Sequence, residues 1–292
     1  MPDSGSPFAV LRSAAARMRA IQGRAVVVKL GGSAMEEPAA TRGTLESVVT
    51  LHGLGMKVVL VHGGGKPIDR AMAAAGLEPV KVQGRRYTDD KTLEIVVRVL
   101  AELNAGVVSR IEALGGSAHG YTDFDTFPIV GRPLMLMGLD LQPTDLGRVG
   151  QIAQIALDPF EIDHDHDRRI PVIPSLAVDI DDGGWLNVNA DSIAAGMAGA
   201  LDAEAVLFLT DTPGVLRDRH DPQSLLPRLT VAECKELIAT GVIDGGMIPK
   251  VEACFEALTA GARRAVILDG RDPDSLLAEF LGEPGGTEIV PN

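Results

Sequence analysis

Five short runs, Ala25–Leu30, Lys57–Val61, Ile170–Ile173, Ala205–Leu209 and Ala265–Leu268, are nearly all apolar, and stretches with helical spacing separate them. This alternation constrains the fold more than any other feature. A strand with apolar side chains on both faces must be covered on both. Short strands alternating with helices supply that cover by packing helices on each side of a parallel sheet. The predicted fold class is α/β: an open, mostly parallel sheet sandwiched by helices. A chain of 292 residues has room for one large domain or two intimate lobes.

The helices are well marked. Leu93, Val96, Val97, Leu100, Leu103, Val107, Ile111 and Leu114 recur at helical spacing and predict one long buried helix; Ile193, Met197 and Leu201 predict another. Thr230 with Glu233 reads as a capping box. Pro249 suits the first turn of a helix carrying Val251, Cys254, Phe255 and Leu258. DIDDGGWLNV (179–188) reads as a hairpin turning at Asp182-Gly183. Near the start, Val10, Leu11, Ala14, Ala15, Met18 and Ile21 define an amphipathic helix over 8–21. Arg12, Arg17, Arg19 and Arg24 with no acid between Ser4 and Arg24 also suit a transit peptide; a docking helix is the reading adopted.

Two strand ends carry the chemistry. VVVKLGGS (26–33) leaves its strand through Lys29, Gly31 and Gly32, and VLVHGGGK (59–66) leaves through Gly63, Gly64 and Gly65. In an open α/β sheet, ligands bind beyond the carboxyl ends of the strands. Glycine lets backbone N–H groups approach an anion, and a following helix adds a partial positive charge. Side by side, the two turns predict an oxyanion cradle; singly, each is equally a tight turn. Neither G-x-x-x-x-G-K-[ST] nor G-x-G-x-x-G occurs, which disfavours a P-loop NTPase and a Rossmann dehydrogenase. LNVNADS (186–192), FLTDTPGVL (208–216) and GGMIPKVEA (245–253) add polar turns. The last puts Lys250 in a first helical turn, where the helix dipole opposes a cation unless an anion is near; a solvated lysine is the plainer reading of that residue alone.

Charge narrows the partners. With 27 basic and 40 acidic side chains the formal net charge is −13, so nucleic acid is not expected as a ligand, although a local cationic site can still hold a small anion. The two cysteines, Cys234 and Cys254, fit a reducing cytoplasm and no disulfide framework. No CxxC or HExxH metal motif occurs, and DHDHDRR (163–169) reads as a solvated loop. Apolar runs fall far short of the roughly 20 residues that span a bilayer.

From about Arg24 to Ile289 the sequence resembles the amino acid kinase family, most closely its acetylglutamate kinases. The resemblance is carried by VVKLGGSAM, VLVHGGG, GRRYTD, LNVNADS, LTDTPGVL, GGMIPKVEAC and GGTEIV, in that order. It implies ATP, with Mg²⁺ on its phosphates, as phosphoryl donor and the γ-carboxylate of N-acetylglutamate as acceptor. By the same resemblance, Lys29 and Lys250 act on the phosphoryl group and Asp191 lies between them as organiser. Gly31, Gly32 and Gly63 are backbone donors to phosphate. Gly64, Gly65, Arg86 and Asn187 serve the acceptor, and Thr210, Asp211, Gly214 and Met247 line the nucleotide pocket. No protein metal ligand is expected. The implied lobes are an N-terminal arm (1–23), an acceptor-binding lobe (24–185) and an ATP-binding lobe (186–292). Homo-oligomers, dimeric or hexameric through the N-terminal helix, and arginine as inhibitor at EFLGEPGGTEIV (279–290) complete the implied picture.

Three features depart from the family pattern. Lys66 follows the glycines where a small residue or proline is usual; it reads as a solvated loop residue, with a third phosphate-binding cation as alternative. GRRYT puts Arg85 beside Arg86. HGYTDFDTFPIVGRPL (119–134) diverges near the acceptor pocket, with His119 read as structural. A kinase for a related acidic acceptor, such as carrier-bound aminoadipate or glutamate, and a non-catalytic arginine sensor are the alternatives.

Overall fold

A computed structural model describes residues 7–82, 85–137, 143–158, 169–283 and 285–292. The elements in chain order are α1 (Pro7–Ile21), β1 (Ala25–Leu30), α2 (Gly32–Glu36), α3 (Pro38–Gly53), β2 (Lys57–His62), α4 (Gly65–Ala74), β3 (Lys81–Val82), β4 (Arg85–Arg86) and α5 (Asp90–Ala113). There follow β5 (Ala118–Gly120), β6 (Ile129–Pro133), β7 (Leu136–Met137), β8 (Pro143–Thr144), β9 (Val149–Ile155), β10 (Ile170–Pro174), β11 (Leu176–Asp179) and β12 (Trp185–Val188). The chain ends with α6 (Ala190–Ala200), β13 (Ala205–Thr210), β14 (Arg228–Thr230), α7 (Val231–Ala239), α8 (Met247–Ala260), β15 (Ala265–Asp269), α9 (Ser275–Leu281) and β16 (Thr287–Val290).

The predicted sheet has eight strands in the order β14-β16-β15-β13-β1-β2-β10-β5, with every neighbouring pair parallel except β15–β16. The first strand of the chain therefore lies at the centre, with Val28 level with Leu60 on one side and Leu207 on the other. Alternation along these strands feeds two cores. Val27, Val59, Val61, Val206, Phe208 and Ile267 meet α4, α6 and α8 on one face. Val26, Val28, Leu30, Leu60, Leu207 and Leu268 meet α3, α9 and Met18 of α1 on the other. Each such side chain, fully buried, contributes roughly 1.5–3 kcal/mol of transfer free energy. Lys29 shares the parity of Val27, which turns it toward the α6 face.

Four of the predicted strands run one residue further, to His62, Pro174, Thr210 and Asp269. The Thr230–Glu233 capping box and the Asp182-Gly183 hairpin form as expected, with Gly183 at φ +72°. Pro249 falls in the first turn of α8. The segment 119–134 supplies β5 and β6, so His119 is in a strand rather than a loop, edge-on to Tyr121 at 4.7 Å between ring centroids. DHDHDRR lies outside the described residues except for Arg169.

A closed four-stranded barrel, β11-β12-β9-β6, was not anticipated. Its strands mix glycine and polar residues with apolar ones, which hides their period. A Cβ at Gly131 would press on Ala177, and one at Gly150 on Leu186. The glycines let the strands curl close enough to close the barrel. Barrel strand β12 delivers Asn187 toward the end of the main sheet.

Candidate active site

The in-register pair Leu30–His62 ends β1 and β2 together, and one residue later both chains turn on glycine. Beyond these turns is a cleft of ≈ 860 Å³, walled among others by Lys29, Gly32, Gly63, Gly64, Gly65, Arg86, Asn187 and Asp191. Sequence reasoning placed all eight in the site, and the fold brings them together. Gly31, expected as a donor, is absent from this wall. A Cβ there would collide with the Leu209 carbonyl oxygen, so its glycine is required by the approach to β13.

The cleft is cationic within an acidic protein. Lys29, Lys66, Arg70, Arg85 and Arg86 line it against Glu36 and Asp191. Lys29 Nζ is 2.8 Å from Asp191 Oδ1, and both side chains are mostly covered. Asp191 is placed by Asn189, the N-cap of α6, whose Oδ1 accepts its N–H at 2.7 Å. Arg86 is 2.6 Å from Asp69 Oδ1, donates to the Gly65 carbonyl at 3.3 Å and rests on Met72 Sδ. Asn187 Nδ2 donates to Thr88 Oγ1 at 3.1 Å. Gly64 caps α4 with no side chain bonding to the first-turn amides, which leaves those amides available to an anion.

Under the glycine turn lies a buried polar contact that sequence reasoning passed over. His62 is fully buried; its Nδ1 is 3.2 Å from the Gly63 carbonyl, and Asn104 Nδ2 is 3.1 Å from its Nε2. Asn104 also donates to the Val172 carbonyl. Burial pushes the His62 pKa down from 6.5 to about 4. The imidazole is neutral at pH 7, Nδ1–H toward Gly63, and serves the turn rather than proton transfer. A polar residue on the apolar stripe of α5, between Leu100 and Val107, was the only available signal for Asn104.

A second cavity of ≈ 290 Å³ is lined by Asp211, Gly214, Met247 and Lys250 together with Arg219 and Asp244. Three of the four expected nucleotide residues converge here. Thr210 does not; it is buried at the end of β13 with its hydroxyl on the Thr212 carbonyl at 2.9 Å, shaping the turn. Gly214 adopts φ +150° where a Cβ would press on Thr287, whose hydroxyl accepts the Val215 N–H at 2.8 Å. Lys250 Nζ bonds Asp211 Oδ1 at 2.7 Å, and that bond holds the Asp211 carboxyl below its usual range. Asp191 was expected to hold both lysines; in the structure it bonds Lys29, and Lys250 takes the nearer Asp211.

Among the described residues no group of three or more His, Cys, Asp or Glu is placed to hold a metal ion, and no helix is long and apolar enough to cross a membrane. Burial raises the Cys234 pKa to about 11 and that of Cys254 well above its usual value, so neither thiol is a ready nucleophile.

Known proteins extend the likeness over the whole chain. An acetylglutamate kinase of Synechococcus sp. is 40% identical over 283 residues, covering 96% of this chain and 91% of the relative. One from Methanosphaera stadtmanae is 38% identical over 287 residues, covering 96% of each. Among solved structures, N-acetylglutamate synthase from Neisseria gonorrhoeae superposes with a TM-score of 0.81 at 25% identity over 98% of this chain, which spans 64% of that synthase. Carbamate kinase from Giardia lamblia shares the fold at a TM-score of 0.65 and 15% identity, covering 92% of this chain and 99% of that one. The profile of the amino acid kinase family matches residues 24–269, and with glycine turns, central lysine and sheet order all in place, this chain belongs to that family.

Proposed function

We propose that this protein transfers the γ-phosphoryl group of ATP to the γ-carboxylate of N-acetylglutamate, a step of arginine biosynthesis. The observation that carries the reading is the cleft in which Lys29, the glycine turns, Arg86 and Asn187 meet, with a second cavity lined by Lys250. A carboxylate oxygen attacks the γ-phosphorus, the bond to the bridging oxygen breaks, and ADP leaves with that electron pair. The acceptor is ionised at neutral pH, so no general base is needed. The obstacle is repulsion between two anions, and positioning with fixed positive charge answers it.

Lys29 and the amides of Gly32 and Gly63 stabilise the transferring group, while Lys250 neutralises charge on the departing phosphate. Asp191 fixes Lys29. Arg86 and Asn187, with the Gly64 and Gly65 turn, bind the acceptor; Asp211, Gly214 and Met247 bind the nucleotide. Mg²⁺ arrives on the ATP phosphates as part of the substrate. Residues 24–185 make the acceptor lobe and 186–292 the ATP lobe, meeting where β1 pairs with β13. The expected location is the cytoplasm.

Arginine inhibition and oligomer formation belong to the same reading. On α1, Phe8 is 72% and Leu11 67% exposed, a pair suited to cover by another copy. α1 packs on α9, where the buried Glu279 carboxylate meets Arg264 through one oxygen while Oε2 accepts no hydrogen bond. This unpaired oxygen is the group we assign to the guanidinium of an inhibiting arginine. A cavity of ≈ 310 Å³ adjoins the cleft past Arg85, which leaves room for a larger acidic acceptor.

The test is ADP release dependent on N-acetylglutamate, run with and without arginine on the full chain and on one lacking residues 1–22. Turnover with N-acetylglutamate and loss of arginine sensitivity and of the larger oligomer on truncation are expected. ATP binding without turnover on any acyl acceptor would favour the sensor instead.

A further inference from the structure

The mouth of the cleft carries charges that the reaction as described does not use. Lys66 and Arg70 are four residues apart on α4, on one face, and both line the cleft. Facing them is Glu36, the last residue of α2. Lys66 Nζ lies 2.6 Å from Glu36 Oε2, and the Arg70 guanidinium 3.9 Å from Oε1. Glu36 also lines the cleft, and its Oε1 is buried without a hydrogen bond. A carboxylate beside an anion-binding cleft repels the ligand, so its presence needs a reason.

The other cations of the cleft are held differently. Lys29 and Arg86 are 16% and 10% exposed at the side chain, each on its own carboxylate; Lys66 is 69% exposed on a flexible stem. An exposed lysine–carboxylate pair is weak and exchanges easily.

We propose that Glu36 is a counter-ion that the acceptor displaces. Lys66, with Arg70 behind it, bonds Glu36 and exchanges it for a carboxylate of the acceptor when the acceptor binds. The exchange trades one carboxylate for another at Lys66. Glu36 then turns to Arg70, which it already faces. The acceptor is the displacing anion because Lys66 follows Gly65, whose carbonyl takes the Arg86 guanidinium, whereas the nucleotide residues gather around Lys250. Lys66 is thereby a specificity-determining residue for an acceptor with a second negative charge. The inference rests on the proposed anionic acyl acceptor.

Steady-state kinetics on the full chain, Lys66→Ala, Glu36→Gln and the double variant test it. Wild-type turnover of N-acetylglutamate checks the underlying reading by itself. Lys66→Ala should raise the acceptor KM about tenfold, with kcat and the KM for ATP within about twofold. Glu36→Gln should lower the acceptor KM about threefold, and that gain should vanish in the double variant. Lys66→Arg should stay near wild type, and matched thermal unfolding shows that all variants fold. A merely structural bridge would move both single variants in the same direction or neither, and that result overturns the proposal. So does a shift confined to the KM for ATP. If the wild type does not turn over N-acetylglutamate, the kinase reading fails separately, and calorimetric binding of N-acetylglutamate to the same four proteins applies the same opposite-sign criterion.

Discussion

Two lysine–carboxylate pairs bound the site, and they are built differently. Lys29 stands in β1, the centre of the sheet, and its bond to Asp191 is mostly covered, with side chains 16% and 21% exposed. Lys250 stands in the first turn of α8, after Gly245 and Gly246, and its partner Asp211 is 67% exposed. The first cation is fixed by the ladder and by burial before any substrate arrives. The second hangs on a helix start and a carboxylate that water can replace. On the proposed reaction, the confined charge would serve the transferring group and the less confined one the leaving phosphate.

The largest expected effect breaks the rigid half. Lys29→Ala should lower kcat about 100–1,000-fold, read as ADP release. Lys250→Ala should also remove most turnover, but Lys250→Arg should recover part of it where Lys29→Arg does not. A planar guanidinium cannot share the geometry beside Asp191, where both side chains are covered, while the exposed Asp211 has room to adapt. Equal recovery at both positions would erase the distinction.

Next comes the ground beneath the glycine turn. His62 has its pKa lowered from 6.5 to about 4 by burial, so the unfolded chain binds a proton in that interval and the folded chain does not. Its contribution is fully present above 6.5 and is lost as pH falls from 6.5 toward 4. The span corresponds to about 3 kcal/mol. His62→Gln should flatten this limb of stability against pH, measured by denaturant unfolding from pH 4 to 7. An unchanged slope would mean that His62 charges without cost.

The carboxylates give the smaller kinetic contrast. Asp191→Asn leaves a covered lysine unpaired and should reduce kcat about 10–100-fold; Asp211→Asn should cost less than about threefold, because water takes the place of an exposed partner. Comparable losses in the two variants would show that exposure does not separate the pairs.

The rigid half was also the more legible one. Val26–Leu30 and Val58–Val61 announce buried strands, and glycines at their ends announce close approach to an anion. The polar partners around the first cleft were not legible. Glu36, Asp69 and Asn104 are ordinary polar residues in sequence and acquire meaning only from neighbours 30, 17 and 42 positions away. The barrel was hidden because Gly131 and Gly150 interrupt the strand pattern for the sake of closure. Lys250 was expected in the first turn of a helix, where it stands, yet its partner depended on which carboxylate the end of β13 brings near. Local pattern specifies elements well; long-range pairing is set by topology.

The adjustable half can be stiffened with a single methyl group. Gly245 has φ +48°, whereas Gly246 at φ −69° accepts any residue, and a Cβ at either would meet nothing within 4 Å. Gly245→Ala should therefore cost about 1 kcal/mol of stability through backbone strain alone, and Gly246→Ala should add about 0.4–1 kcal/mol by restricting the unfolded chain. The second variant isolates mobility from stability. A more stable protein with a slower kcat would show that freedom ahead of Lys250 is used during turnover, because no packing contact has changed. A more stable protein with unaltered kcat would show that Lys250 is held as firmly as Lys29, and the contrast between the two pairs would then rest on burial alone.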